Sequence, residues 1–356
     1  MSRVVLDLRM VRGTLHGIAR YALELARRVP PLAPEHRFSV LRDAHARLEL
    51  PPEIEQVPCR ARFLDPREQI ELLGVLGELR PDLVHWTSFS VPALATAPSV
   101  ITLHDANHLA FPEHYGPWHG FYYRAVVVPA ARRARQVITV SRFAARELER
   151  HLGLPESKTE VVPNGVDARF RPASPSETAA VRARFRLPER FVLYVGNLKP
   201  HKNVPMLVDA AARAQIPLVA VVPQRPEGAG PGVRWREDVE DAQLPALYAA
   251  ASVLGFPSRY EGFGLPPVEA LACGTPVVSS NAASMPEVLG EAAALLDPDD
   301  VDGWAVALRA GVEDHGPQAV QRRCAWARRY SWDATAAQTL ALYRRALTPE
   351  PAPTGY

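Results

Sequence analysis

Short apolar runs alternate along the chain with longer stretches that have helical periodicity. The apolar runs have the length and composition of strands buried on both faces. They lie at Val4–Leu8, Phe38–Leu41, Pro81–Trp86, Ser99–Leu103, Gln136–Val140, Thr159–Val162, Phe191–Val195, Leu218–Val222, Val253–Pro257 and Ala292–Leu296. Strands and helices in alternation predict an α/β protein with parallel sheets.

Amphipathic stretches between these runs predict the helices. Ile18–Val29 has one apolar face, and Arg67–Leu79 is expected to turn Ile70, Leu73, Leu76 and Leu79 toward a core. Ser141 is a predicted N-cap. Further helices are predicted at 177–185, up to about Ala214, at 301–312 and from Tyr330 to Leu347.

The length of 356 residues fits two domains. The segment Arg171–Ser176, R-P-A-S-P-S, has the composition of a linker. We therefore predict an N-terminal Rossmann-like domain at 1–172 and a C-terminal one at 187–330. The terminal helix, about 332–347, is expected to pack back on the first domain.

Composition limits the choice of partners and compartment. A net charge of +2 gives no overall nucleic-acid footprint. The three cysteines are widely spaced and have no metal-ligand pattern, which favours a reducing compartment. The N-terminus lacks the shape of a signal peptide, and no apolar run approaches the ~20 residues of a spanning helix. A cytoplasmic location is expected.

The stretch Arg259–Thr275, R-Y-E-G-F-G-L-P-P-V-E-A-L-A-C-G-T, predicts a strand, a glycine loop and a helix. Such a unit suits an anion, because the backbone N–H groups of Phe263, Gly264 and Leu265 can converge at the positive end of the helix. Glu261 lies on the loop, and Glu269 on the helix. A carboxylate such as Glu269 can accept two hydroxyl hydrogen bonds from a ribose diol; a charge favoured at a helix start is the alternative explanation.

This stretch, followed by P-V-V-S-S and S-M-P-E-V, resembles the donor-binding half of the retaining group 1 glycosyltransferases, family GT4. The resemblance implies the GT-B fold, with two Rossmann-like doubly wound domains facing a central cleft. It also implies that Glu269 binds the nucleotide ribose and that Glu261 contacts the donor sugar. The Gly262–Leu265 segment would meet the diphosphate or the sugar through its amides.

Motifs of the same family occur in the first half of the chain. H-G-I-A-R-Y resembles the family's first loop, in which Gly17 matches the glycine near the donor phosphates; a plain helix-entry glycine is the alternative. T-L-H-D places His104 at the carboxyl end of a predicted strand, where ligands gather. With F-P-E-H-Y after it, the motif resembles that of the family, which implies that His104 lies near the donor sugar and the acceptor. A histidine that caps the strand end by a backbone hydrogen bond is the alternative.

The segment G-N-L-K-P-H-K-N gives the second domain its own phosphate-facing loop. Resemblance assigns to Lys202 the neutralisation of the leaving diphosphate. Many family members have an arginine where Asn197 stands, so this chain has one cation fewer in the predicted donor site. The segment Trp235–Val239 resembles the part that borders the base.

The implied activity is transfer of a sugar from a nucleotide-sugar, as GDP- or UDP-linked substrate, to a hydroxyl of a glycan or lipid-linked acceptor. The motifs look most like those of mannosyl- or rhamnosyltransferases for surface polysaccharide, which favours GDP-mannose. The sequence offers no Asp-x-Asp cluster to hold a divalent metal between phosphates, so no metal and no cofactor are expected. Two alternatives stay open: a nucleotide-sugar epimerase, and a catalytically silent module that binds a nucleotide-sugar. A nicotinamide dehydrogenase is disfavoured, since no G-x-G-x-x-G follows the first strand.

Residues 118–135 mix aromatic, aliphatic and basic side chains, with Pro129 interrupting them. Two interpretations stay open for this segment. It fits a peripheral contact with a membrane that carries a lipid-linked acceptor, and it fits an ordinary core helix with a solvated basic end.

Overall fold

In the computed structural model, which describes residues 1–12, 17–61, 63–114, 117–227 and 232–348, the chain forms two units. The first unit contains Met1–Gly165 and the segment that begins at Trp332. The second unit is Val166–Ser331. The division after Gly165 falls ahead of the predicted boundary at 172.

The first unit is built on seven parallel strands in the order β3-β2-β1-β4-β5-β6-β7. These strands are β1 Arg3–Asp7, β2 Arg37–Asp43, β3 Glu55–Cys59, β4 Leu83–Trp86, β5 Ser99–Thr102, β6 Gln136–Thr139 and β7 Thr159–Val161. The second unit has six parallel strands in the order β10-β9-β8-β11-β12-β13. They are β8 Val192–Val195, β9 Leu218–Val221, β10 Val233–Arg236, β11 Val253–Phe256, β12 Val277–Ser280 and β13 Ala294–Leu296.

Helices connect the strands within each unit. The first unit has α1 Gly17–Leu32, α2 Glu68–Leu79, α3 Asn107–Ala110, α4 Pro117–Tyr122, α5 Val128–Arg133 and α6 Arg142–Leu152. The second has α7 Pro175–Phe185, α8 Val204–Ala214, α9 Leu244–Ala250, α10 Leu265–Ala272, α11 Met285–Leu289, α12 Val301–Glu313 and α13 Pro317–Ala327. The chain returns to the first unit with α14 Trp332–Leu347. The predicted α/β class with two Rossmann-like parallel sheets is confirmed.

Both sheets reverse their strand order at one point, between β1 and β4 in the first unit and between β8 and β11 in the second. In doubly wound sheets a crevice opens there, beyond the carboxyl ends of the strands, and ligands bind in it. The reversal point in the second unit therefore puts the segments that follow β8 and β11 side by side.

Helix α2 is rotated relative to its prediction. Its buried residues are Glu68, Leu72, Leu76 and Leu79, whereas Ile70 is 79% exposed. The physical reason is the fully buried Arg9, whose guanidinium lies 2.8 Å from the Glu68 carboxylate and 2.8 Å from that of Asp7. A buried arginine needs such partners, so Glu68 faces inward. The expectation that Ile70 faces a core was wrong.

Segment 117–133 accommodates Pro129 by a local change of helix type. Residues Tyr123–Val127 form a π-helical turn between α4 and α5. Proline has no N–H for the α-helical bond and clashes with the carbonyl four residues earlier. The wider turn occurs just where that clash would arise, so the helix continues instead of breaking.

Candidate donor site in the second unit

The segments that follow β8 and β11 contact each other in the second unit. β8 and β11 pair directly, with Val192 opposite Val253. After β8, a 3₁₀ turn at Pro200–Lys202 carries the lysine of the G-N-L-K-P-H-K-N segment. After β11, the backbone N–H of Arg259 donates to the carbonyl of His201 at 2.8 Å. This hydrogen bond fixes the two loops against each other.

Lys202 and Glu261 form an ion pair at this junction. Lys202 Nζ lies 2.5 Å from Glu261 Oε1, and the two side chains are only 15% and 13% exposed. The hydroxyl of Ser284 donates to the carbonyl of Glu261 at 2.9 Å, which ties the glutamate to the segment after β12. The structure therefore brings together two residues that the sequence predicts to be catalytic and places a paired cation and anion at one point.

The glycine loop approaches the amino end of α10 in a conformation that needs glycine. Gly264, the residue before the helix, has φ +84°, and a Cβ atom there would lie 2.5 Å from Cε of Met285. The Phe263 side chain is buried and packs edge to face on Tyr330, with ring centroids 5.3 Å apart. The Phe263 side chain thus faces the core, and α10 begins at Leu265 with prolines in its first turn.

Glu269 lies beyond the first turn of α10 and is 5% exposed. Its carboxylate accepts a hydrogen bond from the Tyr248 hydroxyl at 3.0 Å. Preference for acidic residues at a helix start does not account for this position, since that effect is confined to the first turn. A carboxylate has about four acceptor positions, so it can accept from Tyr248 and from hydroxyl donors of a ligand as well.

Asn197 shapes the loop after β8. Its Oδ1 accepts from the backbone N–H of Lys199 at 3.2 Å, and its carbonyl accepts from the Tyr194 hydroxyl at 2.5 Å. Burial raises the pKa of Tyr194, and the charge of Glu261 adds to the effect. Asn197 therefore orders the turn but supplies no positive charge.

His104 and Gly17 belong to the first unit. His104 follows β5, is half-buried, and its Nε2 donates to the carbonyl of Thr87 at 3.0 Å. Such a hydrogen bond to the backbone is what the alternative explanation, a histidine that caps the strand end, predicts. The ring of Tyr21 packs edge to face on it at 4.8 Å. Gly17 is the exposed first residue of α1. The rest of its predicted loop, 13–16, lies outside the described residues.

Comparison with known families covers both units. A family model described as "Glycosyltransferase Family 4" matches residues 15–170, and one described as "Glycosyl transferases group 1" matches residues 189–314. The chain is 32% identical over 405 residues to a D-inositol 3-phosphate glycosyltransferase of Salinispora tropica, with 94% of this chain and 82% of that protein covered. The chain belongs to glycosyltransferase family 4.

Other relatives of this glycosyltransferase carry mannosyltransferase names. The O-antigen chain mannosyltransferase B of Escherichia coli is 28% identical over 382 residues, which cover 96% of this chain and 99% of that one. Sucrose-phosphate synthase of Thermosynechococcus elongatus has the same fold, with a TM-score of 0.76, 21% identity and coverage of 97% and 99%. Anabaena HepE, solved with UDP-glucose, has a TM-score of 0.75 and 21% identity, with 96% of this chain and 98% of that chain covered. The GT-B fold is thereby confirmed.

A buried polar network in the first unit of the glycosyltransferase escaped the sequence analysis. Fully buried His85 lies 2.5 Å from the Tyr343 hydroxyl through Nδ1 and 2.7 Å from Thr102 Oγ1 through Nε2. The Tyr21 hydroxyl lies 2.9 Å from the same Thr102 oxygen. Burial, with a contribution from His104, lowers the pKa of His85 to about 3. The histidine in P-D-L-V-H was the only sequence signal, and its partners come from distant elements.

In the described part of the second unit, acidic residues do not gather into a metal site. The sequence does contain an Asp-x-Asp pair outside the phosphate-facing loops, Asp297 and Asp299. Both Asp299 oxygens are engaged by the Arg259 guanidinium, with Nη1 2.9 Å from Oδ2. Among the described residues no group of three or more His, Cys, Asp or Glu side chains could hold a metal ion. Metal independence stays a prediction.

Proposed function

We propose that this glycosyltransferase moves a sugar, with mannose the first choice, from a nucleotide-sugar to a hydroxyl of a glycan or lipid-linked acceptor, with retention of configuration and without a metal. The observation that carries the proposal is the Lys202–Glu261 ion pair beside the glycine loop and α10. The ion pair, the glycine loop and α10 together provide a cation, backbone amides and a helix amino end, and this combination suits a diphosphate.

Lys202 has a defined task in such a reaction. The bond from the anomeric carbon to the diphosphate breaks with both electrons leaving on the phosphate oxygen, so negative charge grows there. The Lys202 ammonium and the amides of Gly262–Leu265 stabilise that charge as it develops. The acceptor oxygen forms the new bond to the anomeric carbon, and its proton passes to the departing phosphate oxygen. In the free protein Glu261 neutralises Lys202, which keeps the ammonium in place before the donor arrives.

Glu261 and Glu269 divide the recognition of the donor in this proposal. When the diphosphate binds, Lys202 pairs with it instead of with Glu261. The Glu261 carboxylate can then accept hydrogen bonds from sugar hydroxyls. Glu269, held by Tyr248, accepts from the ribose diol. In the first unit, His104 lies at the carboxyl end of β5 and Gly17 at the start of α1; we assign them to the sugar and acceptor side and to the donor phosphates, respectively.

The choice of mannose rests on relatives. Besides the E. coli O-antigen enzyme, a relative named MMP alpha-(1->4)-mannosyltransferase, from Mycolicibacterium hassiacum, is 32% identical over 253 residues. Those names favour mannose as the sugar. Together with the sequence-based expectations of GDP-mannose and a cytoplasmic location, they support a role in surface polysaccharide or glycolipid synthesis. A UDP-sugar is the second donor to test.

Thermal unfolding with GDP-mannose, UDP-glucose, UDP-N-acetylglucosamine and an ADP-sugar tests the donor. A ligand that binds the native state at 100 times its Kd stabilises it by about 2.7 kcal/mol. We expect stabilisation by one nucleotide-sugar that Glu269→Gln removes. Glu291→Gln, an exposed glutamate of the same unit, is the matched control. No stabilisation by any donor would count against the donor site.

Product analysis separates the reaction classes. Incubation of the identified donor with an acceptor glycan should give a longer glycan, and NMR of the new anomeric centre reports retention. Sugar isomerisation without acceptor would point to the epimerase, and donor binding without any product to a silent module. Activity that survives EDTA supports metal independence, whereas loss restored by Mg²⁺ or Mn²⁺ would refute it.

The segment around α4 supports contact with a membrane surface as part of this proposal. Trp118 is 79% and Phe121 is 64% exposed, and their rings pack edge to face 6.2 Å apart. Exposed Arg124 follows on the next turn, an arrangement that suits an anionic bilayer. No described helix has the length and hydropathy to cross a membrane. Trp118→Ser/Phe121→Ser should reduce flotation with phosphatidylglycerol vesicles; unchanged flotation would exclude this contact.

A further inference from the structure

A cavity of about 460 Å³ in the second unit is lined by four arginines. They are Arg184 and Arg186, where α7 ends, and Arg234 and Arg236, on the edge strand β10. Two aromatic residues, Phe185 and Trp235, also line the cavity. No acidic residue lines the cavity among the described residues, although the whole chain has a net charge of only +2. Positive charge is thus concentrated at this place.

Hydrogen bonds and ring contacts hold these guanidinium groups together. Arg234 donates to the carbonyl of Arg186 at 2.7 Å, and Arg236 to that of Phe185 at 3.0 Å. The guanidinium carbons of Arg184 and Arg236 lie 5.5 and 5.0 Å from the centre of the Phe185 ring. These contacts orient the arginines but do not neutralise them.

The acidic neighbours of the cavity neutralise little of this charge. Arg184 lies 3.9 Å from Glu240 and Arg236 lies 3.6 Å from Asp238, and these carboxylates are 74% and 63% exposed. Ion pairs so exposed contribute little. In addition, Trp235 Nε1 is buried and has no hydrogen-bond acceptor among the described residues, and Arg236 Nε, the atom 3.6 Å from Asp238, makes no hydrogen bond. Buried donors of this kind normally have a partner.

The location differs from that of the candidate donor site. The donor-site segments follow β8 and β11 at their carboxyl ends, whereas the cavity is lined by β10 and by Val219, near the amino end of β9. The α7 end, which forms one wall, leads into the amino end of β8. Two residues of the cavity, Trp235 and Arg236, also begin the segment Trp235–Val239 that is predicted to border the base.

We propose that this arginine cavity is a second anion site, which binds a phosphate or diphosphate group of an organic ligand. Guanidinium groups match phosphate oxygens in bidentate geometry. The volume lies in the range of ligand pockets, roughly 300–1,000 Å³, so there is room for more than the phosphate itself. The phosphate belongs either to a soluble phosphorylated compound or to a lipid headgroup, and the experiment distinguishes these sources.

Calorimetric titration of the full-length protein with inorganic pyrophosphate tests the site. We expect binding that Arg186→Gln/Arg234→Gln weakens about 10- to 100-fold, because two charge-assisted contacts are lost. Lys202→Gln, which removes the donor-site cation, should leave this binding intact. Arg322→Gln, an exposed arginine on α13, is the matched control, and circular dichroism checks folding. Absence of binding, or binding that the double variant keeps and Lys202→Gln loses, would overturn the proposal.

Flotation identifies the source of the phosphate. The vesicles contain phosphatidylcholine and phosphatidylglycerol. The phosphate belongs to a lipid headgroup if these vesicles bind the wild type but not the double variant, and if pyrophosphate releases the wild type from them. Pyrophosphate binding without any effect of the double substitution on flotation assigns a soluble phosphorylated ligand.

Discussion

The Lys202–Glu261 pair gives the sharpest quantitative prediction. Replacing Lys202 by Met keeps the length of the side chain and removes the charge, which leaves the Glu261 carboxylate alone at 13% exposure. Exposed ion pairs contribute about 0.2–1 kcal/mol, whereas removing one partner of a buried pair costs roughly 3–5 kcal/mol. Because both side chains are mostly but not fully buried, we expect an intermediate coupling energy of about 1–3 kcal/mol.

A double-mutant cycle in urea measures this coupling. The free energy of unfolding is determined for wild type, Lys202→Met, Glu261→Gln and the double variant, without ligand. The double variant should lose less free energy of unfolding than the sum of the losses in the two single variants. The exposed pair Arg190–Glu313 in the same unit, 63% and 67% exposed, is the control and should couple by at most about 1 kcal/mol.

A coupling energy below about 0.5 kcal/mol would refute this reasoning, since that is the scatter of independent sites. The same variants serve for catalysis. Lys202→Met should lower kcat/KM by about 10²–10³-fold if the ammonium stabilises the leaving diphosphate. Full activity in that variant would remove Lys202 from the mechanism even if the ion pair proved stabilising.

Three further predictions concern stability. Tyr343→Phe leaves a buried nitrogen of His85 without its partner and should cost about 1–3 kcal/mol in urea unfolding; an unchanged value contradicts the network. His85 is kept neutral in the fold, so stability should fall as pH decreases from 6.5 toward about 3, by at most about 1.4 kcal/mol per pH unit, and His85→Gln should lack that contribution. The pKa of Glu177 is lowered to about 2, first by Arg171 and then by Ser174. Its contribution is therefore present above the ordinary value of 4.5 and lost as pH falls toward 2, and Glu177→Gln should flatten that part of the stability curve.

The sequence was sufficient for most of the architecture, because buried parallel strands leave unmistakable apolar runs. It missed β3, Glu55–Cys59, whose run E-Q-V-P-C has only one strongly apolar position besides its cysteine and is largely half-buried at the sheet edge. It also missed α13, Pro317–Ala327, a polar helix with three buried residues. Edge elements bury little apolar surface, so their pattern is weak.

For the candidate site, residues close in sequence to a glycine loop were predictable and long-range partners were not. The Lys202–Glu261 contact joins residues from two loops, and the Tyr248 hydroxyl reaches Glu269 from another helix. The inward rotation of α2 depended on Arg9, a charge that no apolar periodicity reveals. The arginine cavity likewise joins a helix end and an edge strand that are distant in the chain.

The return of α14 to the first unit has a consequence for synthesis on the ribosome. The buried Trp332, Thr339 and Tyr343 belong to the same unit as α1 and β4 but leave the ribosome after the entire second unit. Until Tyr343 has left the ribosome, His85 Nδ1 cannot form its hydrogen bond with the Tyr343 hydroxyl. The second unit, by contrast, is one continuous segment and can complete its core first. Folding order is thus expected to run against chain order, and a nascent chain arrested before residue 332 should protect the second unit from proteolysis better than the first.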